Sequence, residues 1–131
     1  GAGVALASQI SYDPPFTGAV ATNVQAKLAQ YVSVKDFGAV GDGVADDTAA
    51  IQAAFDAFSN IAGTGVFADI YFPLGTYLIS SELISNGCNL IGESFDSIIK
   101  TSAAIRSVVK MRGQQSRIEI LTIDANSLAS A

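Results

Sequence analysis

The sequence predicts a mainly β chain in which short strands stack into a coil behind one amphipathic helix. Three observations predict it. After Gly65, short apolar strands recur at spacings of roughly 6 to 12 residues, a pattern shared by sandwiches, barrels and solenoids. Among their connections Asn86-Gly87 is the only hairpin-type dipeptide, and the runs beside it are short, so antiparallel hairpins lack their usual turn signal. A single helical stripe opens the segment and none follows inside it. That placement is expected if the helix covers the open end of a coil, where strand edges and core would otherwise meet water.

The elements follow in order. Residues 1–21 are small, polar and turn-forming, with Asp13-Pro14-Pro15 and Thr17-Gly18, and read as an extended leader. Over 22–31, Val24, Leu28 and Tyr31 recur with gaps of four and three, which predicts a short helix whose stripe needs a partner. Val32 and Val34 alternate with Ser33 and Lys35 and predict a strand from Tyr31 to Phe37. Gly38, Gly41 and Gly43 then require a tight, irregular path. Asp46, Asp47 and Thr48 supply helix caps, and Ile51, Ala54, Phe55, Phe58 and Ala62 supply one apolar face. These residues predict a helix from Thr48 to Asn60, with Gly63 placed to end it. Strands are expected at Ile70–Phe72, Thr76–Ile79, Leu83–Ile84, Asn89–Ile91, Ser97–Lys100, Val108–Met111 and Arg117–Asp124. Residues 32–131 thus form one unit of cap and coils, after the leader and the short helix.

Composition bounds the function. The chain has 131 residues, enough for one modest core, and half of them are apolar while only 15% are charged, which excludes a disordered tail. Apolar runs are broken well before the length of a membrane span. The net charge of −5 disfavours nucleic acid, although Lys100, Arg106, Lys110, Arg112 and Arg117 against Glu119 and Asp124 make the last part basic. With no His and Cys88 the sole cysteine, Ser-His-Asp and Cys-His sites, imidazole metal sites, metal sites built from several thiolates and an internal disulfide framework are excluded from this segment.

The spacing of Gly38, Gly41 and Gly43 is not a dinucleotide fingerprint. Asp42, Asp46 and Asp47 lack the EF-hand pattern, so turn and capping bonds are their expected role, with no metal and no cofactor. Glu119 and Asp124 are the only acids on the later strands, and five residues apart they face opposite sides of a straight strand. They are weak candidates for catalysis. No complete catalytic site is expected here.

Several stretches resemble a known family. Val32 to Gly43, Asp46 to Gln52 and Tyr71 to Ile79 resemble the opening of the pectate-lyase-like right-handed parallel β-helix superfamily. Upstream, Tyr12 to Val20 running through Lys27-Leu28-Ala29 into Tyr31-Val32-Ser33 looks like phage tailspikes and tail-fibre depolymerases of that superfamily. The resemblance implies a homotrimer of side-by-side β-helices, with Val24, Leu28 and Tyr31 as neck contacts and an N-terminus docked to a virion tail or baseplate protein. It implies a longer parent chain that binds or degrades bacterial surface polysaccharide, acting from the virion tail at the host surface. Gly38, Gly41, Asp42, Gly43, Asp46, Asp47 and Thr48 are then structural residues of the first loop and cap. A cellular pectate lyase or polygalacturonase is the competing reading.

Overall fold

The structure, a computed structural model, describes residues 6–28, 32–59, 68–112, 117–119 and 121–125. Two units divide the chain, Gly1–Tyr31 and Val32–Ala131. In the first, a 3-10 turn at Ala7–Gln9 precedes β1 (Ser11–Tyr12), which pairs antiparallel with β2 (Thr22–Asn23) ahead of α1 (Val24–Leu28). The leader is therefore not extended throughout. Asn23 explains why the helix starts later than expected: its Oδ1 accepts from the Ala26 N–H at 2.8 Å, the usual N-cap bond. Lys27 places its ammonium 5.8 Å from the centre of the Tyr12 ring. Tyr31 and the side chain of Leu28 lie outside the described residues.

The second unit is mainly β. It runs β3 (Val32–Ser33), a 3-10 turn (Val34–Phe37), β4 (Asp42–Asp46), α2 (Thr48–Ser59), β5 (Ala68–Phe72), β6 (Gly75–Ile79), β7 (Leu83–Asn86), β8 (Cys88–Gly92), β9 (Ser97–Thr101), β10 (Val109–Arg112), β11 (Ile118–Glu119) and β12 (Thr122–Asp124). The strand expected from Tyr31 to Phe37 stops at Ser33. There the Ser33 hydroxyl accepts from Lys35 N–H and the Asp36 carboxylate accepts from Ser33 N–H, so the chain turns instead of extending.

Three parallel sheets result. Sheet A is β3-β5-β8-β11, sheet B is β4-β6-β9-β12 and sheet C is β7-β10. Consecutive strands go to different sheets, so each circuit of A, B and C returns one strand further along. Ala68 lies beside Cys88, Gly75 beside Ser97 and Leu83 beside Val109. This is β-helix-like stacking. Asn86-Gly87 makes a corner between β7 and β8, with Gly87 at φ 99°, rather than a hairpin. The single strand expected over Arg117–Asp124 is split in the same way, β11 in sheet A and β12 in sheet B.

Alternation fixes the core. Ile70 and Phe72, Tyr77 and Ile79, Leu83 and Ser85, and Ile99 and Thr101 are buried while their neighbours point outward. Register then stacks inward residues along the coil: Ile70 on Leu90, Tyr77 on Ile99, Leu83 on Val109. From α2, Ile51, Ala54 and Phe55 enter the same core, and the Phe55 ring meets Phe72 edge-on at 6.5 Å. Cys88 is buried in it, its Sγ 3.7 Å from the Phe55 carbonyl oxygen, and burial pushes its thiol pKa up.

Candidate functional site

Polar side chains of the first loop and of α2 converge on the start of the coil. Asp47 sits between β4 and α2 and is 2% exposed. Its Oδ1 accepts from Val40 N–H at 2.8 Å and its Oδ2 from Gly41 N–H at 2.9 Å. Its own N–H reaches the Leu78 carbonyl at 2.7 Å, and its carbonyl accepts from Ile51 N–H at 3.0 Å. A buried carboxylate held by two N–H donors is a satisfied charge that locks the loop onto sheet B.

The glycines allow the loop to come that close. Gly41 has φ 72°, and a Cβ there would stand 2.9 Å from Cε1 of Tyr77. Opposite it, a Cβ on Gly75 would stand 2.6 Å from the Gly41 carbonyl oxygen, which already accepts from Thr76 N–H at 3.0 Å. Tyr77 is fully buried under this loop, and its hydroxyl donates to the Pro73 carbonyl at 2.6 Å. Burial first, then the charges of Asp47 and Glu93 and the Tyr71 phenol, push the Tyr77 pKa up to about 12. Gly38 ends the 3-10 turn at φ 98° and Gly43 turns β4 at φ 74°. Asp42 Oδ1 accepts from the N–H groups of Ala45 and Val44, both at 2.9 Å, and those bonds hold its carboxyl below the ordinary value.

Asp46 and Thr48 tie the helix start to the strand behind it. Asp46 Oδ2 accepts from the Ser80 hydroxyl at 2.5 Å, and Oδ1 accepts from the Thr48 N–H at 3.0 Å and from the Thr48 hydroxyl. Ser80, then Thr48, hold the Asp46 carboxyl below its ordinary value. Ser80 N–H donates in turn to Thr48 Oγ1 at 2.9 Å.

One turn further along α2, Gln52 binds the edge of β7. Leu83 N–H faces β10, donating to Val108 O at 3.0 Å, so the peptide groups of Ile84 face the other way. Gln52 Oε1 accepts from Ile84 N–H and Gln52 Nε2 donates to Ile84 O, both at 2.9 Å. The second Nε2 hydrogen goes to Asp56 at 2.9 Å. The side-chain amide takes the place of a peptide from a neighbouring strand. Sheet C thus begins with a helix where sheets A and B begin with β3 and β4.

Gln52, Ser80 and Gly75 carry weight that sequence reasoning did not assign them. The available signal was the spacing of four between Thr48 and Gln52, which puts two polar residues on one helix face beside an apolar stripe.

The remaining sequence candidates are dispersed. Glu119 is on β11 in sheet A, paired with Arg117 at 3.4 Å with both side chains about half exposed, whereas Asp124 is on β12 in sheet B. Val24 is half-buried in α1. The carboxylates of Asp42, Asp46 and Asp47 each turn to different donors, and among the described residues no three His, Cys, Asp or Glu side chains converge as metal ligands. The late cations are spread as well: Arg117 precedes β11 in sheet A, Lys100 is on β9 in sheet B, and Lys110 and Arg112 are on β10 in sheet C. No helix among the described residues is long and apolar enough to cross a membrane.

Comparisons with known proteins bear on this arrangement. Residues 31–128 match the sequence model of a family described as rhamnogalacturonase A/epimerase, pectate lyase-like. Mannuronan C5-epimerase AlgE1 of Azotobacter vinelandii is 58% identical over 57 residues, which are 43% of this chain and 4% of that protein. Among solved structures, ORF18 of Geobacillus virus E2 superposes with a TM-score of 0.64 at 30% identity, over 79% of this chain and 22% of the viral one. The A-module of mannuronan C-5 epimerase AlgE6 from Azotobacter vinelandii gives 0.61 at 33% identity, over 76% of this chain and 30% of the module. The chain thus spans only a small part of the length of each.

Proposed function

The chain belongs to the rhamnogalacturonase A/epimerase, pectate lyase-like family, and on that premise we propose that it is the sealed N-terminal start of a right-handed parallel β-helix in a phage tailspike. The parent is a homotrimer, and residues 1–21 dock to a tail or baseplate protein. Val24, Leu28 and Tyr31 are its neck contacts. The longer coil binds or degrades a bacterial surface polysaccharide, and the virion tail is its location. The single observation that carries this reading is the likeness to the viral ORF18 chain over 79% of the sequence. The site geometry supports the division of labour: the polar groups of the first loop are consumed in holding the fold, which leaves substrate chemistry to later turns.

Immunogold labelling of purified virions with an antibody against this segment tests the location, and label is expected on the tail. Virions that carry the full-length protein in the tail lysate but bind no antibody along intact tails would refute it. Light scattering on the full-length parent is expected to give three chains per particle, and a monomer would count against the tailspike.

A second reading is favoured by the 58% identity to AlgE1: a cellular polysaccharide-modifying enzyme, as an epimerase or, for a pectate lyase or polygalacturonase relative, a chain-cleaving one. Incubating the full-length parent with mannuronan and with pectin separates these. Proton NMR would detect inversion at C5, and unsaturated or reducing ends would detect cleavage.

A further inference from the structure

The turns between sheets A and B are tied to one another by backbone and side-chain hydrogen bonds. Thr76 N–H reaches Gly41 O at 3.0 Å, Gly75 N–H reaches Asp96 O at 3.3 Å, Leu74 N–H reaches Glu93 Oε2 at 2.9 Å, and the Thr122 hydroxyl reaches Phe95 O at 2.5 Å. Successive turns therefore rise at the strand spacing of about 4.8 Å. Their outermost side chains are apolar: Val40 is 50% exposed, Leu74 51% and Phe95 72%. Glu93 and Asp96 are exposed beside Phe95. This is an apolar ridge with an acidic flank.

Sheet C is the side of the circuit that does not form that corner, and it has the opposite character. Lys110 and Arg112 point outward from β10, two residues apart on one face, and Arg106 is exposed in the segment leading to it. No acid among the described residues pairs with any of the three. An exposed Phe flanked by carboxylates suits a guanidinium or ammonium partner, through ring-face attraction and ion pairing together.

We propose that the ridge of Val40, Leu74 and Phe95, with Glu93 and Asp96, docks onto Arg106, Lys110 and Arg112 of a second copy of this chain. The two halves lie on different sides of one coil, so the contact is heterologous, and a heterologous contact closes into a ring when its rotation allows. A self-repelling pairing of ridge with ridge is disfavoured by the shared negative charge. The inference rests on the homotrimer reading above and names the surface that would build it.

The experiment is sedimentation equilibrium on the full-length parent and its variants, with thermal melts to verify that each variant folds. Leu74→Ser with Phe95→Ser is expected to raise the dissociation constant by at least about thirtyfold, as loss of a central apolar anchor does. Asp96→Lys alone, and Lys110→Glu with Arg112→Glu alone, are each expected to weaken association. Combining all three restores it, because the charge pairing is then inverted rather than lost. If the wild type is oligomeric and the folded variants associate equally well, the proposed surface is wrong while the homotrimer reading stands. If the charge reversals weaken association but the combination does not recover it, the pairing of these two faces is wrong. If the wild type is a monomer at every concentration, both fail together.

Discussion

Replacing Gln52 by Leu would test how the coil begins. Leu has nearly the same volume and a better fit to an apolar stripe, so helix propensity and packing change little. What disappears is the pair of 2.9 Å hydrogen bonds to the N–H and C=O of Ile84. Each such bond is worth about 1 kcal/mol net, and a partly buried peptide group left without a partner adds to the loss. The expected destabilisation is about 2–3 kcal/mol. For a unit of about 100 residues, each kcal/mol moves the melting temperature by about 4–8 °C, so a drop of about 10–20 °C is expected by calorimetry. Hydrogen exchange read at Ile84 localises the effect, since that amide should lose protection before those of β8 and β9. Gln52→Glu sharpens the test: it keeps the acceptor for Ile84 N–H but turns a negative oxygen toward Ile84 O, and should cost at least as much as Leu. A loss under about 0.5 kcal/mol for both variants, with Ile84 still protected, would refute the view that this amide stands in for a strand.

Three further outcomes follow from the same loop. Gly75→Ala should destabilise by about 3 kcal/mol in urea titration, because its methyl would press on the Gly41 carbonyl from a backbone angle that side chains avoid. Asp47→Asn should cost about 2–3 kcal/mol, since one of its two N–H donors, Val40 or Gly41, must then face an amide hydrogen. For acid, the sign is set by Asp46 and Asp42, whose carboxyls are held below the ordinary value of 3.8. The native state therefore binds fewer protons than the unfolded chain around that pH. Their stabilisation is complete above 3.8 and is lost as pH falls through the lower folded-state values. The urea midpoint should be flat above about pH 5 and decline below it, and Asp46→Asn should flatten the decline.

Much of the second unit was legible because strand alternation and helical stripes survive in sequence. Ile51, Ala54 and Phe55 announced the buried face of α2, and Ile70, Phe72, Tyr77 and Ile79 announced inward positions. Boundaries failed where a polar side chain redirected the backbone. Ser33 and Asp36 turned an expected strand into a 3-10 turn, and Asn23 delayed α1. The sheet to which each strand belongs was illegible over Arg117–Asp124, because a corner and a bent strand leave the same trace in a hydropathy pattern. Gln52 was hidden for a different reason: its partner is 32 residues away in sequence, and nothing local marks an amide that completes a distant peptide ladder.

The stacking of Ile70 on Leu90, Tyr77 on Ile99 and Leu83 on Val109 makes each circuit the mould for the next. Because Gln52 already occupies the outer side of β7, sheet C extends only on its β10 side. A chain emerging from the ribosome N-terminus first would present α2 before any later strand exists. Assembly is then vectorial, each new circuit wetting its apolar side only until the following one arrives.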